Sequence, residues 1–291
     1  MTTVLACTDL SDGSDEALRQ AHTWAQRRDA ELVVVHVVPP VPISQALLSL
    51  VGADTATAMR EHRDRCEQRV VAQVTRVTGR PPDGYKLVVV EGTPHQELLR
   101  VAATHSVTLI VLAGTSKHVV ERTLLGSTAE KVLRHSPVAV LIARPSPADG
   151  EVAVASDLSD LTVPAVEAAV VEAARLKTDL VAVYCLSVAR PFSAAFNPAI
   201  IIDDKTYAAV KEAAEETLHA ILARFGSSGR CEVVEGDPKR QLVAFAKAEQ
   251  VQLLVMGTHG ESGVTRILLG SVALAAAHRA PCSVLVVRHH H

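Results

Sequence analysis

The chain has 291 residues, of which 48% are hydrophobic and 21% are charged, and its formal net charge is −3. This length fits two domains of ordinary size, and this composition permits packed cores and argues against disorder. The near-neutral charge gives no reason to expect a nucleic-acid partner, and no apolar run reaches the roughly 20 residues of a membrane span. We therefore expect a cytoplasmic soluble protein without nucleic-acid or membrane partners.

Short apolar runs alternate with helical patterns along the whole chain. The runs are rich in β-branched residues and too short for helices, so they predict strands, and strands alternating with helices predict parallel β-α-β units. The predicted strands lie at about 2–8, 31–38, 86–91, 107–113 and 138–143, then at about 151–155, 179–186, 231–235, 251–257 and 282–287. The predicted fold class is α/β, with five parallel strands per half and helices on both faces.

The second half repeats the first. The matched pairs are VLACTDLSD (4–12) with VAVASDLSD (152–160), VVEGTPHQELL (89–99) with VVEGDPKRQLV (233–243), and LLGS (124–127) with LLGS (268–271). A segment rich in Pro and Gly, PSPADG (145–150), joins the two copies as a linker. The sequence therefore predicts two domains of one fold, residues 1–146 and 147–288.

A glycine-rich stretch after the fourth strand of the second half suits phosphate binding. Gly257, Gly260, Gly263 and Gly270 lie within it, and Ser271 opens the next helix. Glycines allow backbone N–H groups to approach an anion, and a helix N-terminus favours negative charge. Arg266 adds a positive charge. The alternative is that these glycines only form a turn. The spacing is neither a Walker loop nor a dinucleotide-binding fingerprint.

The motif Gly257-x2-Gly260-x9-Gly270-Ser271 resembles the ATP-binding signature of the universal stress protein family. A D-x-S after the first strand and an E-G-x-P before the third helix strengthen the resemblance, which covers nearly the whole chain twice, as in tandem members. The resemblance implies two Rossmann-like domains of the adenine-nucleotide alpha-hydrolase-like kind. It also implies a regulatory protein of the stress response that binds ATP, ADP or AMP, with Mg²⁺ as an accompanying ion.

The resemblance also implies which residues hold the nucleotide in the second half. An acid after the first strand and the backbone of the second strand contact adenine, while the glycine loop and the following helix start contact ribose and phosphates. Carried over to this chain, the nucleotide-binding residues are Ala155, Ser156, Asp157, Val183, Met256, Gly257, Thr258, His259, Gly260, Gly270, Ser271 and Val272. From the residues alone, Asp157 is equally well explained as the N-cap of the first helix.

The first half departs from this pattern. It reads Gly114-Thr115-Ser116-Lys117, so that Lys117 replaces the second glycine and only eight residues separate it from Gly126. Asp9, Val35, Gly114, Gly126 and Ser127 are weaker candidates for nucleotide binding. We expect this half to bind ATP weakly or not at all, with Lys117 serving a smaller anion as the alternative.

The sequence leaves the kind of function open between three classes. The resemblance supports a nucleotide-binding regulator, and so does the lack of a recognisable catalytic constellation. A slow ATPase is the second class, for which no general base or water-positioning residue is evident. An interaction module that binds no nucleotide, with the glycine loop as a hinge, is the third. His36 is predicted to be a satisfied core histidine, and Cys7 with His36 gives too few ligands for a zinc site, so no metal site is expected.

The last strand of each half is apolar, at 138–143 and 282–287. Open apolar edge strands promote aggregation, so we expect these two strands to pair within the chain as an internal pseudo-dimer. A homodimer of whole chains is a further expectation.

Overall fold

The computed structural model describes residues 2–40, 55–114, 125–187, 203–258 and 269–288. The chain divides into two compact units between Ala143 and Arg144. Each unit alternates parallel strands with helices, which confirms the predicted α/β class.

The first unit begins with a strand and ends with one. Its elements in chain order are β1 (Thr3–Thr8), α1 (Gly13–Arg28), β2 (Glu31–Val38), α2 (Thr55–Thr78), β3 (Lys86–Glu91), α3 (Pro94–Thr104), β4 (Leu109–Ala113), α4 (Ser127–His135) and β5 (Ala139–Ala143). The strands form because they are apolar and buried on both faces: every residue of β1 is buried, and so are residues 32–38 of β2. The helices present one apolar stripe, such as Ala17, Leu18, Ala21 and Ala25 of α1.

The second unit follows the same plan. Its elements are β6 (Val152–Ser156), α5 (Val163–Leu176), β7 (Leu180–Leu186), α6 (Asp204–Ala223), β8 (Arg230–Glu235), α7 (Pro238–Ala248), β9 (Leu253–Gly257), α8 (Ser271–Arg279) and β10 (Ser283–Val287). A short 3₁₀ turn, Asp160–Thr162, precedes α5, and another, Pro82–Gly84, precedes β3 of the first unit.

The strand order fixes where a ligand can bind. Within the first unit the order is β3-β2-β1-β4-β5, and within the second it is β8-β7-β6-β9-β10, with every pair parallel. The chain therefore reverses its direction of travel across the sheet between β1 and β4, and again between β6 and β9. Beyond the carboxyl ends of the strands at such a reversal, helices diverge and leave a crevice.

Candidate functional site

A cavity of about 190 Å³ occupies this crevice in the second unit. Ten of the twelve residues predicted to bind nucleotide line it: Ala155, Ser156, Asp157, Val183, Met256, Gly257, Thr258, Gly270, Ser271 and Val272. The other two, His259 and Gly260, lie outside the described residues, as do Gly263 and Arg266. Three segments that are far apart in the sequence thus converge on one space.

The turn after β6 presents Asp157 at the cavity. Its Oδ1 accepts hydrogen bonds from the Ser159 backbone N–H at 3.0 Å and from the Ser159 hydroxyl at 2.6 Å. The N-cap of α5 is Thr162, after the intervening 3₁₀ turn. The interpretation of Asp157 as a helix N-cap is therefore wrong, because its carboxylate closes a local turn and is held beside the cavity.

The N-terminus of α8 supplies backbone donors. Gly270 is the N-cap, with extended backbone and no side-chain cap, and its N–H donates to the carbonyl of Thr258 at 2.6 Å. The N–H groups of the first helical turn have no intrahelical acceptor. Since Ser271, Val272 and Ala273 line the cavity, these donors and the positive end of the helix dipole lie beside it. This arrangement suits an anion.

The lining also includes residues that sequence reasoning missed: Thr162, Tyr184, Cys185, Pro238, Leu242 and Ala273. Two signals could have found some of them. Tyr184 and Cys185 directly follow the predicted Val183, and Pro238 is the proline of the E-G-x-P motif, which begins α7. Burial raises the pKa of the Cys185 thiol to about 12, so this group is a neutral, unreactive thiol at physiological pH.

The first unit has a larger cavity, of about 320 Å³, at the equivalent place. Three of the weaker candidates line it: Asp9, Gly126 and Ser127. The other lining residues are Cys7, Thr8, Ser14, His36, Val37, Pro39, Pro94, Leu98, Leu112, Ala113, Thr128 and Ala129. The other two weaker candidates, Val35 and Gly114, are sequence neighbours of lining residues. Val35 is fully buried and precedes His36. Gly114 follows Ala113, and its N–H donates to the Ala143 carbonyl at 3.0 Å.

Asp9 closes the same kind of turn as Asp157, and one of its donors comes from the first helix. Its Oδ1 accepts from the Ser11 N–H at 2.9 Å, from the Ser14 hydroxyl at 2.6 Å and from the Ser11 hydroxyl. Ser14 belongs to α1, so the carboxylate of the first unit is tied to the first helix. At the equivalent place in the second unit, the Thr162 hydroxyl donates instead to the Ser159 carbonyl at 2.8 Å.

The two glycine segments align differently from the sequence prediction. Both β4 and β9 have five residues, and Val4 pairs with Leu109 as Val152 pairs with Leu253, so Ala113 corresponds to Gly257. The comparison of Gly114 with Gly257 was therefore one residue out of register. Counted from the strand ends, Ser116 stands at the position of Gly260, and the nine-residue spacing to Gly126 is retained. Ser116 and Lys117 lie outside the described residues.

His36 is a core histidine, as predicted. It is 7% exposed, and its Nδ1 lies 2.9 Å from the carbonyl oxygen of Thr8. Burial is the main reason that its pKa is lowered, so the ring is neutral at pH 7. In the described part of the chain, no three His, Cys, Asp or Glu side chains are grouped closely enough to hold a metal ion. Among the same residues, no helix is long and apolar enough to span a bilayer.

The fold and the two cavities define a class: a duplicated, doubly wound α/β protein with a cavity beside a helix start in each copy. The family model described as "Universal stress protein family" matches residues 1–144 and again residues 150–288. The chain belongs to the universal stress protein family, with two family domains in tandem.

Relatives and solved structures agree with this membership. The chain is 29% identical to Universal stress protein Rv2005c of Mycobacterium tuberculosis, over 98% of this chain and 96% of that protein. It is 29% identical to a universal stress protein of Mycolicibacterium smegmatis, over 98% and 96%. A crystal structure of a universal stress protein from Archaeoglobus fulgidus has the same fold, with a TM-score of 0.67, 22% identity and 98% of each chain covered.

Proposed function

We propose that the second unit binds an adenine nucleotide (ATP, ADP or AMP) and that the protein acts as a nucleotide-binding regulator of the stress response. One observation carries the proposal: residues chosen from three separate motifs line a single cavity at the strand-order reversal, with the start of α8 at its wall. A glycine loop that served only as a turn would not require the D-x-S turn and the end of β7 to meet it.

The lining separates into an apolar part and a donor part. Ala155, Val183 and Met256 are buried side chains that would pack against the faces of a purine, while the Asp157 carboxylate would accept from its polar groups. The N–H groups at the start of α8 and the Ser271 hydroxyl would hold phosphate oxygens. A Mg²⁺ ion would be held mainly through those phosphates.

Binding without fast turnover is the second part of the proposal. Among the described lining residues, Asp157 and Cys185 carry groups that could act on a nucleotide, and both are poorly placed for it. Asp157 is engaged by the N–H and the hydroxyl of Ser159, and the Cys185 thiol is held neutral by burial. Slow ATP hydrolysis is the competing function, and a turnover assay on the same samples would separate the two.

The first unit is proposed to bind ATP more weakly than the second. The methyl group of Ala113 stands where Gly257 has only a hydrogen, next to the helix start that would receive phosphate. Steric access of backbone donors to a polyphosphate is therefore reduced. The pairing of the last strands and the homodimerisation of whole chains stay predictions, which sedimentation analysis would test.

Calorimetric titration with ATP and with AMP, with and without Mg²⁺, tests the proposal. We expect one strong site per chain in the wild type and a loss of that site in the Gly270→Val variant, because the variant adds a branched side chain at a residue that lines the cavity. Gly126→Val, the same change in the first unit, is the matched control and should retain the strong site. Mass spectrometry of the purified protein should detect retained nucleotide. Equal affinity in wild type and Gly270→Val would refute the proposed site.

A further inference from the structure

A further cavity of the second unit lies at the other end of the sheet, beside the amino ends of its strands. Its volume is about 520 Å³, and its lining includes Glu151 before β6, Leu180 at the start of β7 and Arg230 at the start of β8. It shares no lining residue with the cavity proposed for the nucleotide. A ligand bound here would therefore occupy a site of its own.

The first unit shows which kind of group fits this place. The register of β2 with β3 matches that of β7 with β8, so Tyr85, just before β3, corresponds to Gly229, just before β8. Tyr85 is 8% exposed, so its phenol ring packs inside the first unit. Gly229 has no side chain and lines the cavity. The second unit therefore has an opening where the first unit has a buried aromatic residue.

The chain cannot fill this opening from position 229. A Cβ atom at Gly229 would lie 2.7 Å from the Leu180 carbonyl oxygen, closer than non-bonded carbon and oxygen atoms pack. The helix beside the opening also has a smaller side chain: Val170 of α5 corresponds to His22 of α1, since each lies seven residues before the left-handed C-cap of its helix. The cavity thus keeps an apolar wall, with Val170 and Leu180, against which a ring can pack.

Carboxylates surround the opening. The Arg230 guanidinium contacts the carboxylates of Glu151 at 2.9 Å, Glu232 at 2.8 Å and Glu249 at 3.1 Å. A fourth carboxylate, that of Asp179, lines the cavity and has no ion-pair partner among the described residues. Four negative groups therefore accompany one positive group, and the excess of negative charge favours a cationic ligand.

The equivalent positions of the first unit carry no such group of carboxylates. Thr3, Val88 and His105 correspond to the three glutamates around Arg230, by strand register and by the positive-φ residue that follows both His105 and Glu249. The missing aromatic side chain and the added carboxylates therefore occur together in the second unit. A ring that carries a positive charge would complement both.

We propose that this cavity binds a small aromatic amine. The ring would pack against Val170 and Leu180, and the ammonium group would lie at Asp179 and the carboxylates around Arg230. The Ser228 hydroxyl, which also lines the cavity, would accept a hydrogen bond from a phenolic O–H. This site does not depend on nucleotide binding at the other end of the sheet.

Calorimetric titration of the full chain with tyramine tests the proposal, because tyramine joins a phenol ring like that of Tyr85 to an ammonium group. We expect saturable binding at one site per chain. p-Cresol has the ring without the charge and ethylamine has the charge without the ring, so each should bind at least about tenfold more weakly. Asp179→Asn should weaken tyramine binding about threefold, the effect of one exposed ion pair, and should leave p-cresol binding unchanged.

Two matched variants separate this cavity from the rest of the surface. Val170→Phe enlarges a wall residue of the cavity and should weaken tyramine binding at least about tenfold, whereas His22→Phe, at the equivalent position of the first unit, should leave it unchanged. The proposal would be overturned by binding that does not saturate, by equal affinity in Val170→Phe, by either fragment binding as tightly as tyramine, or by saturating ATP displacing tyramine. Should Val170→Phe fail to fold, Asp179→Asn and the two fragments still decide. Nucleotide binding is measured separately with Gly270→Val, so either proposal can fail alone.

Discussion

The two cavities are built on the same backbone plan but have different walls. Both lie beyond the carboxyl ends of the strands, and both include the uncapped start of a helix after a glycine N-cap. The side chains differ at equivalent places: Cys7 for Ala155, Thr8 for Ser156, His36 for Tyr184, Ala113 for Gly257 and Thr128 for Val272. The cavity of the first unit is the larger, at about 320 Å³ against about 190 Å³.

This difference separates what the fold provides from what the side chains decide. A helix start that directs its N–H groups toward a cavity comes with the strand-helix geometry, so both units have one. The cavity walls differ at a few positions, such as the end of the second strand, where His36 corresponds to Tyr184. Duplication therefore preserves the place of binding and leaves the chemistry of the ligand open to change.

The largest effect should come from a carboxylate placed at the helix start. Ser271→Asp puts a negative charge beside the expected phosphates and should weaken ATP binding by about 100-fold, equivalent to about 2.7 kcal/mol. The same change favours the helix dipole, so thermal stability should stay equal or rise slightly. Calorimetry and a thermal melt measure the two effects.

Ser127→Asp is the matched change in the first unit. It should leave the strong ATP site of the second unit intact, because Ser127 lines the cavity of the first unit. If Ser127→Asp and Ser271→Asp reduced ATP affinity equally, the assignment of the nucleotide to the second unit would be wrong.

The next largest effect concerns a buried amide, Gln73, that has no buried counterpart among the described residues of the second unit. Gln73 of α2 accepts from the Thr8 hydroxyl at 2.7 Å and donates to the Ser11 carbonyl at 3.0 Å and to Asp15 at 2.8 Å. Gln73→Leu leaves these buried groups short of partners and should lower the free energy of unfolding by about 2 kcal/mol. Trp24, the single tryptophan, lies in the first unit and reports its unfolding by fluorescence.

Thr217 occupies the equivalent place on α6, as judged by its spacing from β8. It is exposed, and its hydroxyl donates only to its own helix, at the Ala213 carbonyl. Thr217→Leu should therefore change stability by less than about 0.5 kcal/mol, as expected of a surface position. A loss of stability in Thr217→Leu as large as that in Gln73→Leu would mean that the network around Thr8 is not what stabilises the first unit.

Most of the fold could be predicted because the strands are continuous apolar runs. The strands β2 and β3 begin and end where predicted, at Glu31–Val38 and Lys86–Glu91. The start of the fourth strand was predicted two residues too early, at 107, while its end at Ala113 was predicted correctly. Val107 is buried and apolar, but regular pairing of β4 with β1 starts at Leu109. Hydrophobicity marks burial, whereas a strand is bounded by its hydrogen bonds.

The site was harder to predict, for physical reasons that differ between residues. An aspartate that closes a turn and one that caps a helix both accept from an N–H a few residues ahead, so sequence alone could not place Asp157. The alignment of the two glycine segments depends on where β4 and β9 end, and the amino-acid sequence does not show these strand ends. The hydrogen bond between His36 and the Thr8 carbonyl depends on the register of β1 and β2, which only coordinates reveal.

A smaller effect should follow from restoring glycines in the first unit. The strand register predicts that Ala113→Gly combined with Ser116→Gly raises the ATP affinity of the first unit about tenfold, in a chain whose second site is silenced by Ser271→Asp. Lys117→Gly is the control that the original alignment would favour, and it should have little effect. Calorimetry with ATP compares the two variants directly. A gain in ATP affinity in Lys117→Gly alone would favour the alignment of Lys117, rather than Ser116, with Gly260.

The smallest effect is a pH dependence of stability that only the first unit should show through His36. Its pKa in the folded chain is lowered mainly by burial, with Arg69 and His62 adding to the lowering while the Thr8 hydrogen bond and Asp9 oppose it. The unfolded chain therefore binds the proton more readily, so the free energy of unfolding should fall as the pH drops below about 6.5, by at most about 1.4 kcal/mol per pH unit. Urea unfolding followed by Trp24 fluorescence at pH 7.5 and 5.5 should show a smaller pH difference in His36→Phe than in the wild type. Since the lowered pKa values of His22 and His95 affect both proteins alike, an unchanged difference would mean that His36 keeps an ordinary pKa and that its cavity is wetter than the structure indicates.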